Sequence, residues 1–472
     1  MLTYSFANRG NVPLYDYLYQ CIKSDILHGN LKAEEKLPSK RSLAQHLKVS
    51  VITVENAYAQ LIVEGYIYAI QKRGYYVSAL EESIPPTFKK KAMPAKLTEP
   101  QPQRQWFFDL KSNSISAAHF PFSIWSKLMR EVLSEQDTKL LKATPYNGVD
   151  KLREEIAEYL YHFRGMSVSA DQIIVGAGTE YLYNLLIQLL GRDHIYAVEN
   201  PGYQKIAKIY KSNDVSCRYI DMDEYGLSAA KLSDSNASVV HLSPSHHYPT
   251  GIVMPIGRRQ ELLSWANTQK NRYIIEDDYD SEFRFAGRPI QTLQSIDENH
   301  RVIYINTFSK SIAPSIRISY MVLPPGLVPV YREKLGFYSC TVPSFEQYAL
   351  AKFIAGGYFE KHINRMKKFY RTQRDHVIKA IEESRFHDIV EIREEDAGLH
   401  FLLKVDTDRS DREIVQAAAG ADIKISCLSE YLHTPDERFD HTILINYSGI
   451  DSSKLPEAME RLSKILLPDS EC

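Results

Sequence analysis

Cysteine is scarce in this 472-residue chain and forms no pattern. Cys21, Cys217, Cys340, Cys427 and Cys472 are scattered and odd in number, with no CxxC pair and no His/Cys cluster. A disulfide framework and a sequence-encoded metal site are therefore excluded. No apolar run approaches the ~18 residues a membrane span requires. No charged-then-apolar leader opens the chain, so a cytoplasmic location is expected. Strong net charge is also absent. The total is −2, which excludes a chain that is polyanion-binding throughout. The charge is nonetheless uneven: residues 1–80 carry nine Lys+Arg and six Asp+Glu, a balance of +3, leaving −5 for the rest. That asymmetry permits a nucleic-acid-binding end.

Apolar content of 44% and charged content of 25% are those of an ordinary globular chain, and the length calls for two or three domains. In residues 1–80, Leu14, Leu18, Ile22 and Ile26 recur every four residues between Pro13 and Gly29, predicting an amphipathic helix. Ser39 is placed to cap a second, short helix with Leu43, Ala44 and Leu47 facing inward. After Lys48-Val49-Ser50, the positions Val54, Ala57, Tyr58 and Leu61 predict a third helix, stopped at Gly65. Tyr66–Ile70, the turn Gln71-Lys72-Arg73-Gly74 and Tyr75–Val77 predict a β-hairpin with a basic tip. Three helices and a basic hairpin make a winged helix-turn-helix, whose third helix enters the major groove. The segment LPSKRSLAQHLKVSVITVENAYAQLIVEGYIYAIQKRGYYV resembles the GntR-family DNA-binding domain over nearly its full length. Two positions that are often basic in that family are Val51 and Glu55 here. The expected DNA-facing set is Ser39, Lys40, Arg41, Ser50, Thr53, Asn56, Lys72 and Arg73. Thr53 and Asn56 are the candidates for bases, and the cations for phosphates.

Residues 81–105 hold Pro85-Pro86, Pro94, Pro100, Pro102 and the run Lys89-Lys90-Lys91, with few large apolar residues. Such a stretch buries no core and predicts a flexible, extended linker. From 106 to 472, apolar strands alternate with helical patterns, which predicts an α/β domain with a parallel sheet. Four predicted strands end in polar clusters: Gly176-Ala177-Gly178-Thr179-Glu180, Glu199-Asn200-Pro201-Gly202-Tyr203, Ser243–Gly251 and Glu276-Asp277-Asp278-Tyr279-Asp280. A fifth, Val302–Ile305, leads into Thr307-Phe308-Ser309-Lys310-Ser311, with Arg317 seven residues past the lysine. A lysine at a strand's C-terminal end points into the crevice where open α/β sheets bind ligands. Flanking hydroxyls and an arginine can hold a phosphate, and a lysine able to form an imine beside a phosphate suits pyridoxal phosphate (PLP). An aspartate facing a pyridine nitrogen would keep it protonated.

The order AGT, NPGY, PTG, EDDYDSEF, TFSKSIAPSIR resembles the fold type I, aspartate aminotransferase-like family from about 106 to 465. The resemblance implies that Lys310 forms the internal aldimine, Asp277 pairs with the pyridine nitrogen and Tyr279 bonds the ring oxygen. It implies that Tyr203 stacks on the ring while Gly178, Thr179, Thr307, Ser309 and Arg317 surround the phosphate. The family's asparagine before PTG is Tyr248 here, so His246 or His247 is expected to supply the missing contact. A GntR-type winged helix, a linker and an aminotransferase-like domain together resemble the MocR subfamily of transcriptional regulators, with motifs close to its GABA-responsive (GabR-like) members. That resemblance implies promoter DNA as a partner, a small amine or PLP itself as effector, and a head-to-tail homodimer. Two carboxylate-binding positions of the GABA-responsive members are Lys205 and Glu430 here, and a reversed charge at the second argues against GABA. The expected function is a PLP-dependent regulator, tied to vitamin B6 or amino-acid metabolism. The alternative is an active aminotransferase with a DNA-binding appendage.

Overall fold

The computed structural model describes residues 2–6, 9–79, 104–112, 119–135, 138–285, 290–396 and 398–467. The chain divides into two compact units, 1–103 and 104–472. The linker stretch 81–103 lies outside the described residues. Arg104, assigned above to that linker, instead bonds the carbonyl of Ala419 at 2.7 Å and the carboxylate of Asp422 at 3.3 Å, so it is part of the second unit.

The first unit is built from α1 (Leu14–Leu27), β1 (Lys36–Leu37), α2 (Lys40–Leu47), α3 (Val51–Val63), β2 (Ile67–Ile70) and β3 (Gly74–Val77). The four-residue repeat of α1 buries Leu18, Ile22 and Ile26 against Leu43 and Ala44 of α2 and Val54, Ala57, Tyr58 and Leu61 of α3. Each such large side chain contributes roughly 2 kcal/mol. Ser39 and Ser50 cap α2 and α3 by accepting from the amides of Ser42 (3.2 Å) and Thr53 (3.1 Å). The hairpin turns through Lys72, at φ +63°. A third strand escaped the sequence reading: β1 pairs antiparallel with β3, Leu37 opposite Tyr75. Two residues are too few to show a period.

The second unit contributes β4 (Phe108–Asp109), β5 (Ile173–Gly176), β6 (Tyr196–Asn200), β7 (Cys217–Asp223), β8 (Gly226–Leu227), β9 (Val239–Leu242), β10 (Tyr273–Asp277), β11 (Val302–Thr307) and β12 (Ser319–Val322). Strands β5 to β12 form one sheet in the order β5-β12-β11-β10-β9-β6-β7-β8. Neighbours from β11 across to β7 are parallel. The expected all-parallel sheet needs correction at its ends, because β12 runs antiparallel to both β11 and β5, and β8 antiparallel to β7. The reason is connection length: the short link from Thr307 to Ser319 is too small for a crossover helix, so the chain doubles back. Alternate residues of the central strands enter different apolar clusters, Ile274 and Val302 in one, Ile275 and Ile303 in another. Both faces are therefore covered, which is why these strands read as continuous apolar runs.

The first helices of this unit are α4 (Phe122–Ser134), α5 (Asp150–Arg164), α6 (Thr179–Leu190) and α7 (Gln204–Ser212), of which α6 and α7 contribute residues to the site. Beyond the large sheet, β13 (Val390–Arg393), β14 (His400–Val405) and β16 (Thr442–Asn446) form an antiparallel sheet. Strand β15 (Ile423–Lys424) pairs in parallel with β4, and Asn446 donates to the carbonyl of Lys111 at 3.0 Å. These contacts hold the 107–112 segment beside the C-terminal sheet.

Candidate functional site

The C-terminal ends of β10 and β11 and the start of α6 open on a cavity of about 400 Å3. Thr179, Tyr203, Asp277, Tyr279, Thr307, Ser309, Lys310 and Arg317 all line it. Gly178 caps α6 beside them at φ +95°, and any Cβ there would collide with the Arg317 guanidinium. Only glycine lets the backbone meet that arginine.

Asp277 ends β10 and is buried. One carboxylate oxygen accepts from the Tyr183 hydroxyl at 2.5 Å and lies 3.6 Å from Nε2 of the buried His241. His241 is held from behind by the Tyr210 hydroxyl, 2.7 Å from Nδ1. The other oxygen of Asp277, Oδ1, is buried without a hydrogen-bond partner among the described residues. An orphaned carboxylate oxygen is costly unless a ligand completes it. The Ser309 hydroxyl is likewise buried and unpartnered.

Lys310 sits in the one-turn helix Phe308–Ser311, capped by the Thr307 hydroxyl, which accepts from the Ser309 amide at 3.1 Å. Ser319 of β12 donates to the same oxygen at 2.8 Å. Thr307 therefore fixes the turn that carries the lysine as well as lining the cavity. Burial pushes the Lys310 ammonium below its ordinary range, with Asp280 pulling the other way. A larger neutral fraction favours attack on an aldehyde. Arg317 adopts a left-handed conformation, φ +47°, and points toward the start of α6.

The residues fit PLP. Asp277, with an unsatisfied carboxylate oxygen, and Ser309, with an unsatisfied hydroxyl, line one cavity with Arg317 and the N-terminus of α6, a donor set that suits a pyridine nitrogen and a phosphate. When bound, that cofactor supplies an aldehyde to join with the lysine and a ring that withdraws electrons.

The effector candidates are placed differently from the expectation. His246 and His247 do not line the cavity. His246 is buried against Asp280 at 2.9 Å and the Tyr279 hydroxyl at 3.2 Å. His247 is buried between Thr250, 2.7 Å away, and Glu199, 3.3 Å away. The tight turn after β9, closed by Gly251 N–H to the His247 carbonyl, aims both rings into the interior. Tyr248 lines the cavity in their stead, and its hydroxyl meets that of Tyr431 at 3.0 Å. Lys205 is ion-paired with Glu180, which lines the cavity and also approaches Arg317 at 3.8 Å. Glu430 is ion-paired at 2.8 Å with Lys111, another lining residue. Sequence reasoning missed Lys111, Glu180, Tyr183 and His241. Tyr183 is one turn into α6 from Thr179, so the helix period offered a signal. Lys111 had none, because the β4–β15 pairing brings it in.

In the first unit, Arg41, Asn56, Lys72 and Arg73 are exposed. Lys40 is ion-paired with Glu55. The hydroxyls of Ser50 and Thr53 bond each other at 2.8 Å at the start of α3, which engages one of their two protons.

Two family profiles match. Residues 107–462 match "Aminotransferase class I and II", and residues 14–77 match "Bacterial regulatory proteins, gntR family". The chain is 37% identical over 462 residues to the HTH-type transcriptional regulator YdeL of Bacillus subtilis, covering 97% of this chain and 98% of that one. It is 30% identical to the probable rhizopine catabolism regulatory protein MocR of Rhizobium meliloti, covering 97% and 94%. It is also 30% identical to the pyridoxine biosynthesis transcriptional regulator PdxR of Corynebacterium glutamicum, covering 88% of each. Among solved structures, Pyrococcus horikoshii kynurenine aminotransferase superposes with a TM-score of 0.68 at 25% identity, over 77% of this chain and 92% of that one.

Proposed function

This chain belongs to the MocR-like branch of the gntR regulators, a winged helix joined to a fold type I aminotransferase domain, and from that premise we propose that it is a transcriptional regulator that senses PLP itself. The regulator class and the cofactor follow from the family. The choice of effector is our reading, and one observation carries it: besides Lys310, the lysine among the described lining residues is Lys111, which is paired with Glu430, and nearby Lys205 is paired with Glu180. An amino-acid substrate needs an available cation for its carboxylate, ideally a bidentate arginine. Arg317 lies against Gly178 at the start of α6, on the phosphate side. PLP asks only for Lys310, Asp277 and the phosphate cradle. The likeness to a regulator of pyridoxine biosynthesis supports the same choice.

In this reading Lys310 would bind the aldehyde, the Asp277 carboxylate would accept from the protonated ring nitrogen, and Tyr183 keeps Asp277 oriented. Filling the cavity shifts the population between forms that engage promoter DNA differently. The active form is a homodimer arranged head to tail, so that each winged helix serves a two-fold operator.

The test is footprinting on the DNA upstream of the regulated gene, with protein freed of PLP, with PLP restored, and with a panel of amines and amino acids. PLP alone should change the protected region. A footprint indifferent to PLP but altered by an amino acid would remove cofactor sensing and leave the regulator class intact. Steady conversion of amino donors to keto acids by protein lacking sequence-selective DNA affinity would favour the aminotransferase alternative.

A further inference from the structure

We propose that α3 reads adjacent A·T pairs, with Val51 and Ile52 packed on thymine 5-methyl groups and Asn56 bonded to adenine. This rests on the reading that the winged helix places α3 in the major groove.

Two apolar side chains at the start of α3 are in the wrong place for solubility. Val51 and Ile52 open α3 and are 42% and 68% exposed, while the helix's buried face is complete without them. The N-terminal residues of a recognition helix are the ones that meet base edges. The exposed strip continues through Glu55, Asn56 and Ala59. Ile52 and Asn56 are four apart and so lie on one face.

The next step is elimination among the groups this strip presents. Guanine is read by arginine or lysine at O6 and N7, and α3, VITVENAYAQLIV, contains neither. Cytosine is read by a carboxylate accepting from N4, and Glu55 is held by Lys40. Thr53 is bonded to Ser50. What remains is one free amide, Asn56, and the apolar pair. Asparagine matches adenine N6 and N7, and the thymine methyl is the apolar group of the major groove. Exposed Arg41, Lys48, Lys72 and Arg73 give the same unit the charge that a phosphate backbone requires.

The experiment uses the full-length, PLP-loaded protein and a random-sequence duplex pool. The duplex enriched from that pool is then resynthesised with each thymine replaced in turn by deoxyuridine, which removes only the methyl. We expect an enriched core with adjacent A·T pairs, and about a fourfold loss of affinity at each contacted thymine, with the salt slope unchanged. Ile52→Ala should weaken binding to the thymine duplex to a similar degree and abolish the deoxyuridine effect at one position. Because the base replacement is made in DNA, the result does not depend on a variant folding. An enriched core built on guanine, or affinity indifferent to deoxyuridine, overturns the proposal while the regulator reading stands. Ile52→Ala that changes the oligomeric mass and leaves the base preference untouched overturns it in favour of a protein–protein face. A pool with no enriched sequence defeats both.

Discussion

Tyr183 gives its hydroxyl hydrogen to one oxygen of Asp277, at 2.5 Å, and the opposite oxygen has no hydrogen-bond partner among the described residues. That hydrogen bond holds the carboxylate in one orientation at the edge of the cavity. Asp277→Ala should release the cofactor, with affinity falling at least thirtyfold, since removing one partner of a buried charged contact costs about 2–5 kcal/mol. Tyr183→Phe should lower PLP affinity by less, on the order of tenfold, because the acid remains but its orientation is lost. Equilibrium dialysis against PLP measures both, and equal retention by Asp277→Ala and parent would remove Asp277 from the ring nitrogen.

Lys310→Ala should abolish both the visible absorption of the bound cofactor and the adduct trapped by borohydride. Lys310 is the lysine lining the cavity beside Ser309 and Thr307, and burial weakens its hold on its proton. Peptide mapping that finds a trapped adduct on another lysine would move the attachment point.

Lys72→Ala and Arg73→Ala should weaken DNA binding and flatten its dependence on salt. Each lost phosphate contact lowers the log–log slope by about 0.9. Binding measured across a salt series reads this, and an unaltered slope would take the hairpin tip off the contact surface.

Arg164 and Asp278 form a fully buried pair at 2.7 Å, to which Tyr304 adds a hydrogen bond at 2.6 Å and Ser281 another at 2.9 Å. Arg164→Leu should destabilise the second unit by about 3–5 kcal/mol, because Asp278 is left buried without its cation. Asp278→Asn made together with Arg164→Leu should recover part of the loss. Urea unfolding of both variants decides, and a double variant no more stable than the single would show that the pair's charge is not what matters.

The carboxyls of Glu276 and Glu282 should make stability fall as pH rises from about 4.5 to 7. Burial pushes the carboxyls of Glu276 and Glu282 up to about 7, with Asp278 adding to both. In that window the folded chain holds protons that the unfolded chain has released, so folding is favoured at the acid end and the advantage vanishes above 7. Glu276 also accepts from the amides of Leu293 and Gln294, each at 2.9 Å, which favours its ionised form in opposition. Glu282→Gln should flatten the profile. The reverse slope, or the same slope in that variant, would mean that the carboxyls ionise freely in the fold. Burial lowers His362 to about 4 and pushes His400 down as well, so both work against this as pH falls below 6.5, where the unfolded chain takes up protons that the folded chain refuses; the difference between parent and Glu282→Gln isolates the carboxyl's share.

The chain's local order was legible because its signals are short-range. The four-residue repeat of α1, the capping serines and the basic hairpin are set by neighbours in sequence. Each apolar strand leading into a polar cluster likewise announces a sheet with a site at one end. Lys310, Asp277 and Ser309 could be chosen from such clusters together with the family resemblance, and they line one cavity.

What the sequence could not decide is how separate segments meet. The pairing of β4 with β15 brings Lys111 to the cavity and to Glu430, turning an apparently reversed charge into a neutral pair. The turn after β9 buries His246 and His247 and presents Tyr248 instead. The short return from β11 sets β12 antiparallel. Residue type and spacing fix which groups a segment can offer. Only packing between distant segments, which no local pattern encodes, fixes which of those groups face the ligand and which neutralise one another.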